Sequence, residues 1–370
     1  MASVTASDVR DITTAFVENY MQDKWSNVVR EYQHHVTADE LFTKRMKRGD
    51  PSEKITFNLK TDEADNTQAD SFFKKDSLNR VDLFRKGEVK WSFQKTHFLV
   101  DAREPVLNSG NKNRIFDYYL GLKQDMMDGL FKANEGFTWT NPAYPNDGSS
   151  GDPVPWGIPH WLTTYTTTSD FGLNGGAPTG YASAGTDSRG NVSNTLVPNW
   201  KNATFAWSSM SNSSFCKKAS EALNKCDFKA PKPSKEEIET STSNFGMYSD
   251  YSPFEDYEDA LYGSNESVGE DMGRFRGGKP SGQIGYHYFR GIPWRWVAAL
   301  TNDGDAQVSS PTVYFINWST FVCEHYGDWF MKTGTPISLD EQHNTIVQWM
   351  DTGWQMYCTN LRANCAAVQV

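Results

Sequence analysis

The chain has 370 residues, of which 38% are hydrophobic and 14% aromatic, enough to bury the core of one elaborate domain or of two interleaved lobes. Its formal net charge of −10 makes the surface as a whole repel polyanions, which argues against a dedicated reader of DNA sequence. The sequence shows neither a secretion signal nor a run of about 18 apolar residues, so we expect a soluble protein with no membrane partner.

The N-terminal region predicts a helical arm. From Ser7 to about Tyr32, apolar side chains recur at three- and four-residue steps, as they do along one side of a helix. The apolar stripe changes phase near Tyr20, so a straight helix could not bury all of it against one surface. A short basic cluster follows the arm: Lys44, Arg45, Lys47 and Arg48.

Residues from about 54 to 100 predict a long two-stranded excursion. Ile55, Phe57 and Leu59 alternate with polar residues, and the alternation resumes near Trp91. Because an isolated hairpin is at best marginally stable in water, we expect this one to rest on other structure.

The clearest predicted element is a long amphipathic helix that begins after Asn111 and ends near Gly136. Apolar residues recur at spacings of three and four between Ile115 and Ala133. At about 1.5 Å per residue this helix spans on the order of 30 Å, so it can serve as the spine of a domain.

The region from Thr138 to about Gly190 is rich in Pro, Gly, Asn and Thr and predicts long loops. Loops beyond about 15 residues are uncommon unless they are functional or are ordered by a partner. The remaining pattern predicts helices at about 211–224 and 255–262, and strands at 284–300, 312–318 and 345–358.

Three patterns resemble a phosphate-binding loop, a nucleophile elbow and a pair of catalytic carboxylates, and none meets the requirements of the site that it resembles. A phosphate-binding frame from Gly273 to Lys279 continues with Pro280, which has neither a hydroxyl for magnesium nor a backbone N–H. Ser183 lacks the first glycine of a nucleophile elbow. The carboxylates within 255–259 lie side by side on a predicted surface helix, which indicates a solvated face. We therefore expect no enzyme and no catalytic residue.

Metal and cofactor sites are not expected either. The cysteines lack the short spacings of a zinc site or of a disulfide framework, so they predict reduced thiols. They are Cys216, Cys226, Cys323, Cys358 and Cys365.

The 13 tryptophans leave one alternative open, a carbohydrate-active or carbohydrate-binding protein that uses exposed indole rings. Against this alternative, several tryptophans lie inside apolar strand patterns, as Trp91, Trp294, Trp296 and Trp318 do. That placement is typical of packing in a core or an interface.

The order of these parts resembles that of the major capsid proteins of tailed bacteriophages, which share the Hong Kong ninety-seven type fold. That fold has an N-terminal arm, an extended loop, a peripheral domain built on a spine helix, and an axial domain. Short motifs in matching order are similar to segments of one family of these proteins: Gly87–Trp91, Leu196–Asn202, Phe289–Pro293, Pro311–Tyr314 and Thr352–Arg362. Near its C-terminus this chain departs from the family pattern by keeping a single arginine, Arg362.

The resemblance implies an α+β fold and a function in assembly. The implied parts are an N-terminal arm (1–48), an extended β-hairpin loop (49–100), a peripheral domain with the spine helix (101–139), an axial domain (140–304) and return strands of both domains (305–370). The implied subunit self-assembles through hexamers and pentamers into the icosahedral head shell around double-stranded DNA. Its implied location is the virion, after assembly in the host cytoplasm with scaffolding and portal proteins.

Under this hypothesis the hairpin overlaps the spine-helix region of an adjacent subunit. Phe72, Phe73 and Trp91 are then candidate assembly contacts. The basic cluster at Lys44–Arg48 is expected to pair with acidic groups of neighbouring subunits, or else to face packaged DNA in a weak, sequence-independent contact.

Overall fold

The structure is a computed structural model, and it describes residues 35–61, 84–101, 112–146, 149, 151–165, 170–178, 181, 188–194, 197–227, 244–263, 278–280, 286–301, 311–338 and 345–370. These residues belong to one compact unit, His34–Val370. The helical arm predicted for 7–32 lies outside the described residues. No helix in the described part of the chain is long and apolar enough to cross a bilayer.

Seventeen strands and five α-helices occur in the described ranges. The strands are β1 (Met46–Gly49), β2 (Lys54–Lys60), β3 (Phe84–Lys90), β4 (Ser92–Asp101), β5 (Ser188–Arg189), β6 (Val192–Ser193), β7 (Ala203–Trp207), β8 (Phe245–Ser249), β9 (Gly278–Pro280), β10 (Tyr286–Phe289), β11 (Ile292–Trp296), β12 (Thr312–Asn317), β13 (Phe321–Tyr326), β14 (Lys332–Thr333), β15 (Ile337–Ser338), β16 (Thr345–Cys358) and β17 (Cys365–Gln369). The helices are α1 (Lys112–Thr138), α2 (Ile158–Trp161), α3 (Lys217–Cys226), α4 (Tyr251–Gly263) and α5 (Ala298–Thr301).

The first sheet is organised around β16. This strand pairs with β4 along one side, from Thr345 opposite Asp101 to Trp354 opposite Ser92. Its other side pairs with β15, β14 and β13, and β13 continues in parallel to β1. Burial alternates in the first half of β16, whereas residues 352–358 are all buried because both faces are covered there.

The long helix α1 packs against the first sheet. Met126 and Leu130 lie on one side of the helix and form a buried cluster with Phe98 of β4 and Met350 of β16. The predicted spine helix is therefore present, and it ends at Thr138, two residues beyond the predicted end.

The second sheet has seven strands in the order β7-β17-β12-β8-β11-β10-β9. Helices α3 and α4 cover it and supply much of its core. The Phe215 ring, in the π-helical turn before α3, stacks on Trp294 with a centroid distance of 5.6 Å. Tyr257 of α4 lies 4.6 Å from the same indole ring. Aromatic packing against Trp294 thus fixes both helices on the sheet.

Two short segments connect the sheets directly, hereafter the two short crossings, and one asparagine joins them. The segment Trp318–Thr320 leads from β12 to β13, and Leu361–Ala363 leads from β16 to β17. Asn364 accepts a hydrogen bond from the backbone N–H of Asn317 at 2.7 Å. Its side-chain amide donates to the Thr320 hydroxyl and to the Asn360 carbonyl, each at 2.9 Å. Asn317, Thr320 and Asn364 are wholly buried, so each lost bond leaves a polar group without solvent.

The predicted strands have mixed outcomes. Those at 312–318 and 345–358 are confirmed as β12 and β16, and the helices predicted near 211–224 and 255–262 correspond to α3 and α4. The single strand predicted for 284–300 is wrong. It is a hairpin of β10 and β11, because Arg290 and Gly291 both adopt positive φ (53° and 82°), as a type I′ turn requires.

Replacing the joining asparagine should destabilise the whole fold. We expect Asn364→Ala to lower the free energy of unfolding by at least about 2 kcal/mol. The substitution removes the acceptor of the buried Asn317 N–H and a hydrogen-bond donor to the Thr320 hydroxyl. Asn58→Ala, at an exposed position of β2, should change it by less than about 0.5 kcal/mol. Urea denaturation measures both, and equal midpoints for the two variants would contradict the assignment.

Candidate assembly surface

Strands β2 and β3 form a hairpin, hereafter the β2–β3 hairpin, in antiparallel register from Lys54 opposite Lys90 to Lys60 opposite Phe84. The next strand, β4, pairs with β16 instead of continuing this hairpin. Within the described residues, the two-stranded part of the excursion predicted for 54–100 is therefore confined to 54–60 and 84–90.

One face of the β2–β3 hairpin is buried against its own chain. The Phe57 ring stacks on Tyr357 of β16, with centroids 4.7 Å apart and an interplanar angle of 13°. A Cβ atom at Gly87 would lie 2.4 Å from the Phe57 ring, and one at Gly190 would lie 2.9 Å from it. Glycine at both positions is therefore what lets the two backbones approach the ring.

Hydrogen bonds fix the base of the hairpin as well. The Gln355 side-chain amide of β16 donates to the Lys90 carbonyl at 3.0 Å, and its oxygen accepts from the Trp156 N–H at 2.9 Å. The Glu88 N–H donates to the Gly190 carbonyl at 2.9 Å. The support expected for the hairpin thus comes, in the described part, from its own chain.

The outer face of the hairpin is basic. The two strands contain five basic residues and one acidic residue, Glu88, which pairs with Lys54 at 3.1 Å. Lys60, Lys86 and Lys90 are exposed on this face, and Arg85, which lies opposite the buried Leu59, is exposed at the end of the inner face. Sequence analysis singled out 44–48 and missed this face, although the alternation of bases with buried residues could have indicated it. A positive face on a chain of net charge −10 fits an acidic partner.

Exposed apolar side chains lie beside this basic face and on the first sheet. Phe84, at the end of β3, is 70% exposed. Phe93 and Leu99 of β4 and Ile337 of β15 are each more than half exposed. Among the described strands, β4 pairs with β16 alone, so no described strand covers its other edge. An edge strand with exposed apolar side chains is a typical docking surface for another chain.

Of the three aromatic residues predicted as assembly contacts, the structure describes Trp91. Phe72 and Phe73 lie outside the described residues. Trp91 is 5% exposed, and its ring packs edge-to-face on Tyr326 at 5.2 Å. A Cβ atom at Gly49 would lie 2.5 Å from the Trp91 ring, so the backbone of β1 touches it closely. The described contacts of Trp91 are within its own chain, and its role in assembly stays a prediction.

Three of the four basic-cluster residues pair with acids of their own chain. Lys44 and Arg45 each lie 2.7 Å from the Glu40 carboxylate, and Arg48 lies 3.0 Å from Asp328 at an exposed position. Lys47 is exposed. Burial alone would raise the pKa of Glu40, but the hydrogen bonds and charges of Lys44 and Arg45 outweigh it and lower the pKa. Contacts of this cluster with other subunits or with DNA stay predictions.

A buried carboxylate at the end of α1 holds the start of the described chain. Glu135 is 1% exposed, and its oxygens accept from the Thr37 N–H and from the Trp139 indole N–H, each at 2.8 Å. The Thr37 hydroxyl donates to Thr138 at 2.8 Å. Burial raises the pKa of Glu135 above its ordinary value, and the hydrogen bonds oppose this effect only in part.

Glu135 should make stability depend on pH. A carboxyl group with a raised folded-state pKa binds its proton more tightly in the folded chain. Its contribution is therefore full below about pH 4.5, the unfolded value, and declines as the pH rises towards the folded pKa. We expect the stability of the original chain relative to Glu135→Gln to fall by up to about 1.4 kcal/mol per pH unit in that window.

Denaturation at a series of pH values measures this slope. Trp139→Phe is the matched control, since it removes one donor and keeps the titrating carboxyl. The stability of Trp139→Phe relative to Glu135→Gln should therefore fall with rising pH in the same way. A flat difference between the original chain and Glu135→Gln would show that Glu135 does not titrate as described.

The described residues also bear on the chemical alternatives. The five cysteines are buried and form no disulfide, and burial raises the pKa of Cys226 and of Cys358 to about 12, which keeps both thiols unreactive. No group of three metal-ligating side chains occurs among the residues that the structure describes. Of the four tryptophans cited against sugar binding, Trp91, Trp294 and Trp318 are buried and Trp296 is half-buried. The carbohydrate alternative has no support.

Comparison with known proteins identifies the fold. No family model and no curated protein matches the chain. It is similar to a solved structure of the cyanophage A-1(L) capsid, with a TM-score of 0.60 and 11% identity over 95% of each chain. It is also similar to the capsid of a native GTA particle, with a TM-score of 0.53 and 9% identity over 100% of this chain and 99% of that one. A structure from Microbacterium phage Oxtober96 is similar with a TM-score of 0.50 and 9% identity over 100% of both chains. The chain has the α+β fold of tailed-phage major capsid proteins, as the sequence resemblance implied.

Proposed function

We propose that this chain is a major capsid protein, a subunit that self-assembles into the icosahedral head shell of a tailed phage around double-stranded DNA. The observation that carries the proposal is the extent of the likeness, which spans 95% or more of this chain and of each capsid structure compared. The structures that the chain resembles are those of shell subunits, which supports a structural role without enzymatic activity.

The proposal includes the organisation and partners that the sequence resemblance implies. The parts are the arm (1–48), extended loop (49–100), peripheral domain (101–139), axial domain (140–304) and return strands (305–370). The partners are other copies of the chain in hexamers and pentamers, scaffolding and portal proteins during assembly in the host cytoplasm, and packaged DNA through non-specific contacts. The net charge of −10 supports weak contacts with DNA.

The β2–β3 hairpin is the proposed assembly element. Because Phe57 and Gln355 fix its base within one chain, its direction is set before a second copy arrives. The outer side of α1 is a suitable receiving surface: Asp125 is exposed, and Cβ atoms at Gly129 and Gly136 would meet nothing within 4 Å. A basic hairpin can lie over this open helix surface of the next copy, where Asp125 offers an opposite charge and Lys132 is a nearby base.

Deleting the distal part of the extended loop tests the proposal. We expect the full chain to form closed shells visible by electron microscopy, alone or with its scaffolding partner. A chain lacking Asp65–Lys75 should fold but form none, because the contact to the next subunit is removed. Phe72→Ser with Phe73→Ser should reduce shell yield at least about tenfold, since about 1.4 kcal/mol lost from one repeated contact already has that effect. Normal shells from the deletion would refute the role of the loop.

Reversing the charge of the hairpin tests the electrostatic contact separately. We expect Arg85→Glu with Lys86→Glu to raise the concentration of subunit needed for assembly at least about tenfold at low salt, with a smaller effect at high salt. Lys217→Glu with Lys225→Glu on α3 gives the same change in net charge and should have less effect. Equal effects from the two pairs, measured by light scattering, would mean that only net charge matters.

A further inference from the structure

Arg189 of β5 is a buried cation whose partners are neutral. Its side chain is 0% exposed. The Nη2 group donates to the Thr163 hydroxyl and to the Gly176 carbonyl. No carboxylate among the described residues pairs with it, and burial lowers its pKa to about 9, so the guanidinium is still charged at neutral pH.

Donors around Arg189 outnumber acceptors. The Nε–H and both N–H groups of Nη1 have no acceptor among the described residues. The buried indole N–H of Trp161 has none either, and this ring lies 3.3 Å from the Cβ position of Gly190, next to Arg189. Two buried acceptors of this region lack a partner among the described residues: the Asn194 side-chain oxygen and Nε2 of His160, whose Nδ1 faces the Asn141 oxygen. Two neutral acceptors cannot satisfy four N–H groups.

The charge of Arg189 also acts on its surroundings. His160 is wholly buried, and burial together with the nearby Arg189 charge lowers the pKa of this histidine to about 3. His160 is therefore neutral, and the guanidinium remains the charged group of the cluster. Burying an unpaired ion costs several kcal/mol even after relaxation of the protein, so a folded chain needs a counter-charge close to it.

We propose that the buried Arg189 guanidinium, beside Trp161, binds a small inorganic anion such as chloride. An anion supplies the negative charge that Thr163 and Gly176 lack, and it accepts several N–H bonds at once. Because the Arg189 side chain is fully enclosed, the ligand must be small and must be held when the chain folds. The inference concerns the stability of the subunit and is independent of shell assembly.

Thermal unfolding of the full chain in sodium chloride, sodium bromide and sodium gluconate at equal ionic strength tests the site. We expect the midpoint to be about 2–4 °C higher in chloride and bromide than in gluconate, which is too large to be enclosed. Arg189→Met should lose this difference. Arg290→Met, which removes an exposed arginine, should keep it, and general salt effects act on both variants alike.

Two outcomes would overturn the proposal. One is an equal midpoint for the original chain in the three salts, which decides the question even if Arg189→Met fails to fold. The other is a loss of stability in Asp187→Asn that is the same in every salt, because it would assign the counter-charge to a carboxylate of the chain outside the described residues. Anomalous scattering from bromide beside Arg189 in crystals would support the site directly.

Discussion

Asn364 joins the two short segments that lead directly from one sheet to the other, and the relation of the sheets depends on it. Its side chain bonds to Asn317, Thr320 and Asn360, which belong to the two crossings. Without these bonds each sheet could keep its own ladder, and the polar contacts left between the two crossings would include those of Thr359, whose N–H and hydroxyl both donate to the Thr320 carbonyl. A buried amide with all its groups paired has one satisfactory geometry, so it fixes direction as well as adding stability.

The direction of the β2–β3 hairpin follows from the same crossing. Strand β16 ends there, and Gln355 and Tyr357, near its end, hold the carbonyl of Lys90 and the ring of Phe57. The hairpin therefore starts from a fixed base and carries its basic outer face away from its own core. In a shell subunit this matters because a contact made at the wrong angle, repeated many times, prevents closure.

Local periodicity was sufficient to predict α1, β12 and β16, since each shows its apolar pattern within one segment. The β10–β11 hairpin was missed because the turn depends on the positive φ of Arg290, which an arginine does not indicate. The pairing of β4 with β16, about 250 residues away, could not be predicted from either segment, because an alternating pattern does not specify which strand it pairs with. The fold class was predicted from the order of the motifs along the chain. That order stays the same even where a single element is predicted wrongly.

The candidate surface and the buried polar groups were harder to predict, for one physical reason. A Glu, Arg or Asn is usually exposed, so sequence alone assigns Glu135, Arg189 and Asn364 to the surface, and only long-range packing reveals that they are enclosed. Apolar packing tolerates small shifts, whereas an enclosed polar group tolerates few. A subunit that must present a hairpin, a sheet edge and a helix face at set angles gains from placing such groups where its parts meet.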